Sequence, residues 1–245
     1  MQQEKSVSDA INYRRSVRIY NKKKMLDTQK VRQCIEQASL APNSSNMQLW
    51  EFHHITSETI KKQLIPLCFG QNTVKTAQQF VVIVVRKDKW RKRAKSNLDH
   101  VDSQYPKKPK AEQSSREKLI RNYYGKLMPF AYADFLGILG LLKYLIVIIV
   151  GLFKPMYREV RAQDMRVVAH KSAALAAENF MLSMAAIDYD TCPMEGTDTW
   201  RIKRLLNLPL GAEINMVISC GIRTPIGVYG ERFRIPFEDV CKEWY

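Results

Sequence analysis

Three guanidinium groups and a hydroxyl fall within five residues at Arg14-Arg15-Ser16-Val17-Arg18. A guanidinium is planar, permanently charged and forked, so it suits two-point recognition of a phosphate or of a carbonyl-bearing edge. Taken alone, such a cluster is more often a solvated basic helix end. Four other stretches change that balance. Arg232 and Arg234 form a second basic pair near the other end of the chain, separated by Phe233. Pro42-Asn43-Ser44-Ser45-Asn46-Met47-Gln48-Leu49-Trp50 is dense in amides and hydroxyls. Asn and Ser favour turns, but this many neutral hydrogen-bonding groups also suit a polar heterocycle. Asn72 and Lys75 stand three apart on one side of an expected helix, and Pro193-Met194-Glu195-Gly196 follows a long Ala-rich segment. No Ser-His-Asp or Cys-His set, GxxxxGK loop, paired-carboxylate pattern or GxGxxG turn competes with these groups.

The composition narrows the partners. The chain has 245 residues, a 46% hydrophobic share and a net charge of +15. It is long enough for a proper core, and its charge invites anions such as phosphorylated ligands, acidic lipid or nucleic acid. The five cysteines (34, 68, 192, 220 and 241) are scattered without a CxxC pair, and the four histidines (53, 54, 100 and 170) lack metal-ligand spacing. That pattern speaks for a reducing compartment and against a zinc site. The polar opening MQQEKSVSDA does not read as a signal peptide. The expectation is a cytoplasmic protein.

The elements that must position the candidate residues follow from periodicity. A short helical run (Val7, Ala10, Ile11) precedes the arginines. Residues 27–40 predict a helix with Asp27 as its N-cap and Val31, Cys34, Ile35 and Ala38 as its apolar stripe. Residues 51–56 read as a strand, and 58–79 as one helix. Phe80–Val85 is a continuous apolar run of the kind found in a strand covered on both faces. Residues 86–95, with Lys107, Lys108 and Lys110, make a basic region broken by Pro106 and Pro109, read as a surface insertion. Residues 164–187 predict a central buried helix in which His170 is structural. Residues 192–196 are expected to be a loop, 199–206 a short basic helix and 214–220 a second buried strand.

Residues 135–153 stand apart, with 19 positions and one charge, Lys143. As a helix this would be about 28 Å long, near the thickness of bilayer hydrocarbon. A simple span would put the two halves of one folded domain on opposite sides of the membrane. A pair of short helices broken near Gly137, Gly140 or Gly151 avoids this. Such a pair would lie at the inner face of a membrane, with Lys126, Lys143, Lys154 and Arg158 suited to an anionic leaflet, or be buried as a lid or at a dimer contact.

Taken in order, the five stretches resemble the nitroreductase family of FMN-dependent oxidoreductases. Arg14, Arg15, Ser16 and Arg18 are similar to its N-terminal basic-Ser-x-basic motif, which holds the flavin phosphate and pyrimidine edge. Pro42, Asn43, Ser44, Asn46 and Gln48 fit its P-S-S-x-N-x-Q-x-W loop, which reaches the flavin bound mainly by the other subunit. Asn72 and Lys75 fit N-x-x-K, beside N1, O2 and N3 of the ring. Pro193, Met194, Glu195 and Gly196 fit P-x-E-G, whose backbone N–H groups face N5 and O4. Arg232 and Arg234 fit the closing basic-x-basic pair. The resemblance covers about residues 7–100 and 160–240. It implies a single α+β domain over 1–245, with a central, mostly antiparallel sheet flanked by helices, in a domain-swapped type of homodimer. The region from about 100 to 158 is a basic and hydrophobic insertion. It also implies bound FMN, with NAD(P)H as a transient reductant binding over the flavin. The reaction would be a ping-pong hydride transfer to nitroaromatic, quinone or similar electron-poor acceptors, with no obligatory catalytic side chain.

Two other readings remain open on the residues. Reductive dehalogenation uses the same fold with a gripping lid, for which Tyr123, Tyr124 and Lys126 are the candidates. A flavoprotein whose basic insertion binds a membrane surface or nucleic acid is the other. Nucleic acid is disfavoured because the basic runs lack regularly interleaved aromatics.

Overall fold

Gln79–Val85 (β2) is buried at every position, and its alternating side chains divide the interior into two cores. The computed structural model describes residues 4–105, 108–109, 112–135 and 137–245. β2 lies between β1 (Trp50–Ile55) and β4 (Glu213–Gly221), and β4 carries β3 (Asp190–Met194) on its far side, every pairing antiparallel. Val81, Ile83 and Val85 face a core shared with helices α2 (Thr28–Ala38) and α9 (Ala162–Ala186). Phe80, Val82 and Val84 face the other. That second core is shared with α3 (Glu58–Leu67), α4 (Asn72–Thr76) and α10 (Thr199–Leu205). A strand covered on both faces has no solvated side, which is why its sequence is apolar without alternation.

Local chemistry sets the element ends. Asp27 caps α2 by accepting from the N–H of Gln29 (2.8 Å), and Val31, Cys34 and Ala38 form its buried stripe. In α9, Ala169, Ala173, Ala176 and Ala177 are buried, and such small residues let α2 approach closely. The β2–β4 register shifts between Ile83 and Val84, leaving Asn215 as an extra residue. Its side-chain amide donates to Nδ1 of His170 (3.1 Å), which leaves Nε2–H to donate to Glu213 (3.2 Å). His170 is thus held in a structural network.

Four sequence expectations need correction. The helix expected over 58–79 is broken. Phe69 (φ 56°) and Gly70 (φ 60°) take left-handed backbone, and a separate helix, α4, starts at Asn72. The basic stretch after β2 is not simply surface. Arg86 is buried, binds Asp88 through two nitrogens (3.0 and 2.8 Å) and pairs with Glu51, while α5 (Trp90–Gln104) packs through Ala94 and Val101. Pro106, Lys107 and Lys110 lie outside the described residues, as does Leu136. Pro193 and Met194 belong to β3 rather than to a loop, and Pro193 is tolerated because β3 is at the sheet edge. Finally, the apolar run forms one helix, α8 (Ile138–Val150), bounded by Gly137 and Gly151, rather than two. Among the described residues, no helix is long and apolar enough to cross a membrane.

The segment that follows α1 (Val7–Tyr13) is extended and docks beside the sheet. Ser16 bridges to Thr191 of β3, the N–H of Val17 donates to Thr191 (3.1 Å) and that of Arg18 to Gly227 (2.7 Å). Val17 and Tyr20 point inward and are fully or nearly fully buried. The Tyr20 hydroxyl meets the Ser219 carbonyl and hydroxyl oxygens, each at 3.0 Å, and Thr73 joins Ser219 at 2.7 Å and donates to the Val17 carbonyl at 2.9 Å. Burial pushes the Tyr20 phenol well above its ordinary pKa, so it stays protonated.

Two outcomes are expected. A Cβ on Gly221 would come within 2.5 Å of the Tyr20 ring. Gly221→Ala should therefore lower unfolding free energy by about 1–3 kcal/mol through overpacking, read as a lower urea midpoint at unchanged m. The second concerns acid. Around Glu51, burial acts to raise the carboxyl pKa, but hydrogen bonds from Lys89 and Arg86 outweigh it, and the net shift is downward. A lowered folded pKa adds stability above the unfolded value of about 4.3 and loses it as pH falls through the folded value. Glu51→Gln should flatten this acid limb of the urea midpoint against pH, and an unchanged limb would remove Glu51 as its source.

Candidate functional site

Because side chains alternate along extended backbone, burying Val17 turns Ser16 and Arg18 to the other side. There they wall a cavity of about 290 Å³ with Arg14, Arg15, Tyr229, Arg232 and Arg234. The two ends of the chain are tied together at this point. Arg15 donates to the Gly230 carbonyl (2.9 Å), and Arg232 donates to the carbonyls of Asn12 (2.9 Å) and Arg14 (2.6 Å) at the end of α1. A guanidinium at a helix C-terminus sits against exposed carbonyl oxygens, a favourable place for a cation. Glu231 is the single carboxylate on the cavity wall. Arg14 approaches Glu178 at 3.6 Å. Among the described residues, Arg15, Arg18, Arg232 and Arg234 form no ion pair. Partial desolvation, then the repulsion of Arg15, Arg234 and Arg14, hold the Arg232 pKa below its usual value. Five guanidiniums gathered against one carboxylate make a strongly positive wall, whose charge and forked donors suit a multiply charged anion.

α4 adjoins this cavity. The Asn72 amide donates to the Tyr229 hydroxyl (3.2 Å), and Lys75 curls over the Gly70 turn, its Nζ lying 3.8 Å from where a Cβ on Gly70 would be. Gln71 reaches the Gly196 carbonyl at 3.5 Å, and the N–H of Asp198 donates to Leu67 at 2.8 Å, which ties the turn after β3 to the end of α3. Glu195 and Gly196 are exposed, and a Cβ at Gly196 would meet nothing within 4 Å, so this backbone edge opens to free space. Pro193 and Met194 precede it in β3, paired with Ile218 and Val217.

The Pro42–Gln48 loop is held elsewhere. Its backbone turns through left-handed angles at Ser45 (φ 55°), Asn46 (φ 49°) and Gln48 (φ 46°), with Asn43 Oδ1 accepting from the N–H of Gln48 (2.8 Å). Ser44 N–H donates to Ser172 of α9 (3.3 Å), and Ser45 meets the Tyr123 hydroxyl (2.6 Å). Tyr124 donates to the Ser45 carbonyl (3.2 Å), while Pro42 and Asn46 are exposed. Ser44 and Ser45 line a second, mainly apolar cavity of about 330 Å³ with Tyr123, Tyr132, Tyr157 and Met165. None of the 42–48 residues lines the arginine cavity. Within one chain the expected residues therefore gather in two places.

The structure also adds residues that the sequence did not single out. Tyr229 lines the arginine cavity and meets Asn72; its place between Gly227 and Gly230 is the one local signal that could have marked it. Arg223 donates to buried Asp190 (2.8 Å from Nε) and to the Tyr13 carbonyl (3.1 Å), and lies 4.2 Å from the Tyr13 ring centre. This brace sets the exit of α1, and no local pattern announces a pair so far apart in sequence.

Comparison with known proteins agrees with this architecture. The sequence profile of the nitroreductase family matches residues 11–222. Protein DrgA of Synechocystis sp. is 26% identical over 216 residues, covering 88% of this chain and 83% of its own. A provisionally named NAD(P)H nitroreductase of Staphylococcus haemolyticus is 24% identical over 250 residues, covering 98% of each. Among solved structures, the provisionally named nitroreductase ydfN of Bacillus subtilis superposes with a TM-score of 0.74 at 19% identity, covering 97% of this chain and 98% of its own. A provisionally named nitroreductase of Exiguobacterium sibiricum, solved in complex with FMN, superposes with a TM-score of 0.68 at 21% identity, covering 100% and 99%. With its family profile spanning the sheet, both cores and the arginine segment, the chain belongs to the nitroreductase family.

Proposed function

We propose that this protein is an FMN-dependent NAD(P)H oxidoreductase that acts as a homodimer. The observation that carries the reading is the convergence of Arg14, Arg15, Arg18, Arg232 and Arg234 on one cavity. These residues fit the flavin's dianionic phosphate in charge, and guanidinium is a side chain whose fork suits its oxygens. When bound, FMN supplies the redox chemistry, accepting hydride from NAD(P)H and passing it in a second half-reaction to an electron-poor acceptor such as a nitroaromatic or a quinone.

The chain's own groups bind and orient. Arg14, Arg15, Arg18, Arg232 and Arg234 neutralise the phosphate, and Ser16 offers a hydroxyl beside them. Asn72 presents an amide to the ring's polar edge, and Lys75 a positive charge that favours its reduced form. The open backbone edge at Glu195 and Gly196, set by Pro193 and Met194, offers N–H donors. Pro42, Asn43, Ser44, Asn46 and Gln48 lie outside the arginine cavity, so their assigned place is against the flavin of the partner subunit. The exposed C-terminal arm, with Phe233, Phe237, Val240 and Trp244 all more than half exposed, is the segment suited to clasp that partner. Residues 1–245 then form one domain, with about 100–158 as an elaboration around the acceptor side. Five free thiols fit a reducing, cytoplasmic setting.

Two measurements test this. The purified protein should be yellow, or become so on adding FMN, and its flavin band should bleach under anaerobic NADH or NADPH. A colourless protein that takes up no FMN would overturn the proposal. Replacing both Arg232 and Arg234 with Ala should raise the Kd for FMN by about a hundredfold or more, since each charge-assisted contact contributes about 1.5–3 kcal/mol. Unchanged FMN retention in a folded double variant would remove the pair from the phosphate site.

A further inference from the structure

In α8 the amphipathic pattern of a surface helix is inverted. Lys143, its one charged residue, points into the protein and is 7% exposed. Its Nζ donates to the Ala133 carbonyl (2.5 Å) at the end of α7 (Met128–Tyr132) and lies 5.0 Å from the Phe130 ring centre. Burial lowers its pKa, with Asp134 acting in the opposite direction. Gly140 and Val147 share this inward arc, and a Cβ on Gly140 would already stand 3.3 Å from Arg161 Cα. Asp134 accepts from the N–H groups of Gly137 and Gly140, both at 2.9 Å. These contacts fix which way the helix faces.

The opposite arc is entirely aliphatic. Ile138, Leu141, Leu142, Leu145, Ile146 and Ile149 are each between 49% and 61% exposed, and at 100° per residue they fall on one side of the helix. Exposed Phe135 and Phe153 lie at its two ends. Apolar residues facing water singly are ordinary, but a contiguous face of this kind marks an interaction surface.

We propose that α8 lies flat in the interfacial layer of an anionic bilayer, with this arc among the acyl chains. Three observations favour lipid over a second copy of the chain. Protein interfaces draw on Tyr, Trp, Met and Arg and keep a polar share even at their centre, whereas this arc offers no polar side-chain atom. From Lys126 to Arg158 the sequence holds four basic residues and one acid, and that acid, Asp134, is engaged in the cap. Lys126, Lys154 and Arg158 are exposed near the arc's two flanks in sequence, where anionic headgroups would meet them. The helix is about 20 Å long, short of the roughly 30 Å of bilayer hydrocarbon, which favours lying in the plane over crossing it. The inference does not depend on the flavin reading, because no α8 residue lines the arginine cavity.

Flotation of the full-length protein with vesicles of phosphatidylcholine and phosphatidylglycerol tests it. The wild type should float. Leu142→Glu/Ile146→Glu should cut the partition coefficient by about tenfold or more, with the circular dichroism spectrum and elution volume unchanged. Lys154→Glu/Arg158→Glu should reduce binding to the anionic vesicles while leaving binding to pure phosphatidylcholine as it was. A wild type that stays at the bottom of the gradient would overturn the proposal, as would glutamate variants that float equally well. So would a glutamate double variant that elutes at half the wild-type mass, which would make the arc a contact between copies.

Discussion

A buried triangle of hydroxyls, from Tyr20, Thr73 and Ser219, joins three parts of the chain that would otherwise be independent. Tyr20 belongs to the arginine segment, Thr73 to α4 and Ser219 to β4. Buried hydroxyls are costly unless paired, so the three have little freedom to part once the sheet has formed. Arg18 sits two residues before Tyr20, and Asn72 immediately precedes Thr73. The same triangle therefore sets the spacing between the arginine wall and the Asn72–Lys75 pair. Packing of the Tyr20 ring directly on Gly221 adds a steric constraint to the hydrogen-bonded one. The site inherits its geometry from a polar knot within the core.

The arginine cavity illustrates how like charges can be held together. Guanidiniums near one another repel, and this repulsion adds to partial desolvation in holding the Arg232 pKa below its usual value. It is opposed by backbone carbonyls at the end of α1 and at Gly230, which accept from Arg232 and Arg15 without neutralising them. Neutralisation by carboxylates would have served stability equally well and left nothing to bind an anion. The Glu51–Arg86–Asp88–Lys89 cluster, where β1 meets the end of β2, takes that other course and is saturated. One chain thus contains both a self-satisfied ionic cluster and an unsatisfied one.

Much of this was legible from residue order. The all-apolar β2, the Asp27 cap and stripe of α2, and the Ala-rich α9 are strong local patterns, and local patterns survive folding. The motif residues were legible as types, and the cavity brings together those from the two chain ends. Features decided by distant partners were not legible. The break at Phe69–Gly70 was only half marked, since Gly70 is a local stop signal but left-handed backbone at Phe69 is not something its residue type announces. Arg86 reads as surface until Glu51 is opposite it. Lys143 reads as the polar point of an apolar helix, whereas the Ala133 carbonyl at the end of α7 draws it inward. The Asn215 bulge is a matter of strand register, which a single strand's sequence does not contain.

The union of residues 14–18 with residues 230–234 has a consequence in time. During synthesis the N-terminal arginines leave the ribosome first, and the sheet can begin to assemble as β1 and β2 follow. The cavity wall is still incomplete, because Arg232 and Arg234 are made only after β4. Until then the Arg14–Arg18 segment lacks both its brace at Gly230 and two of the five guanidiniums of the wall. The nascent chain therefore carries an incomplete arginine wall while its strands are made. The wall closes only once β1 to β4 have all been made, so its completion follows the sheet rather than preceding it.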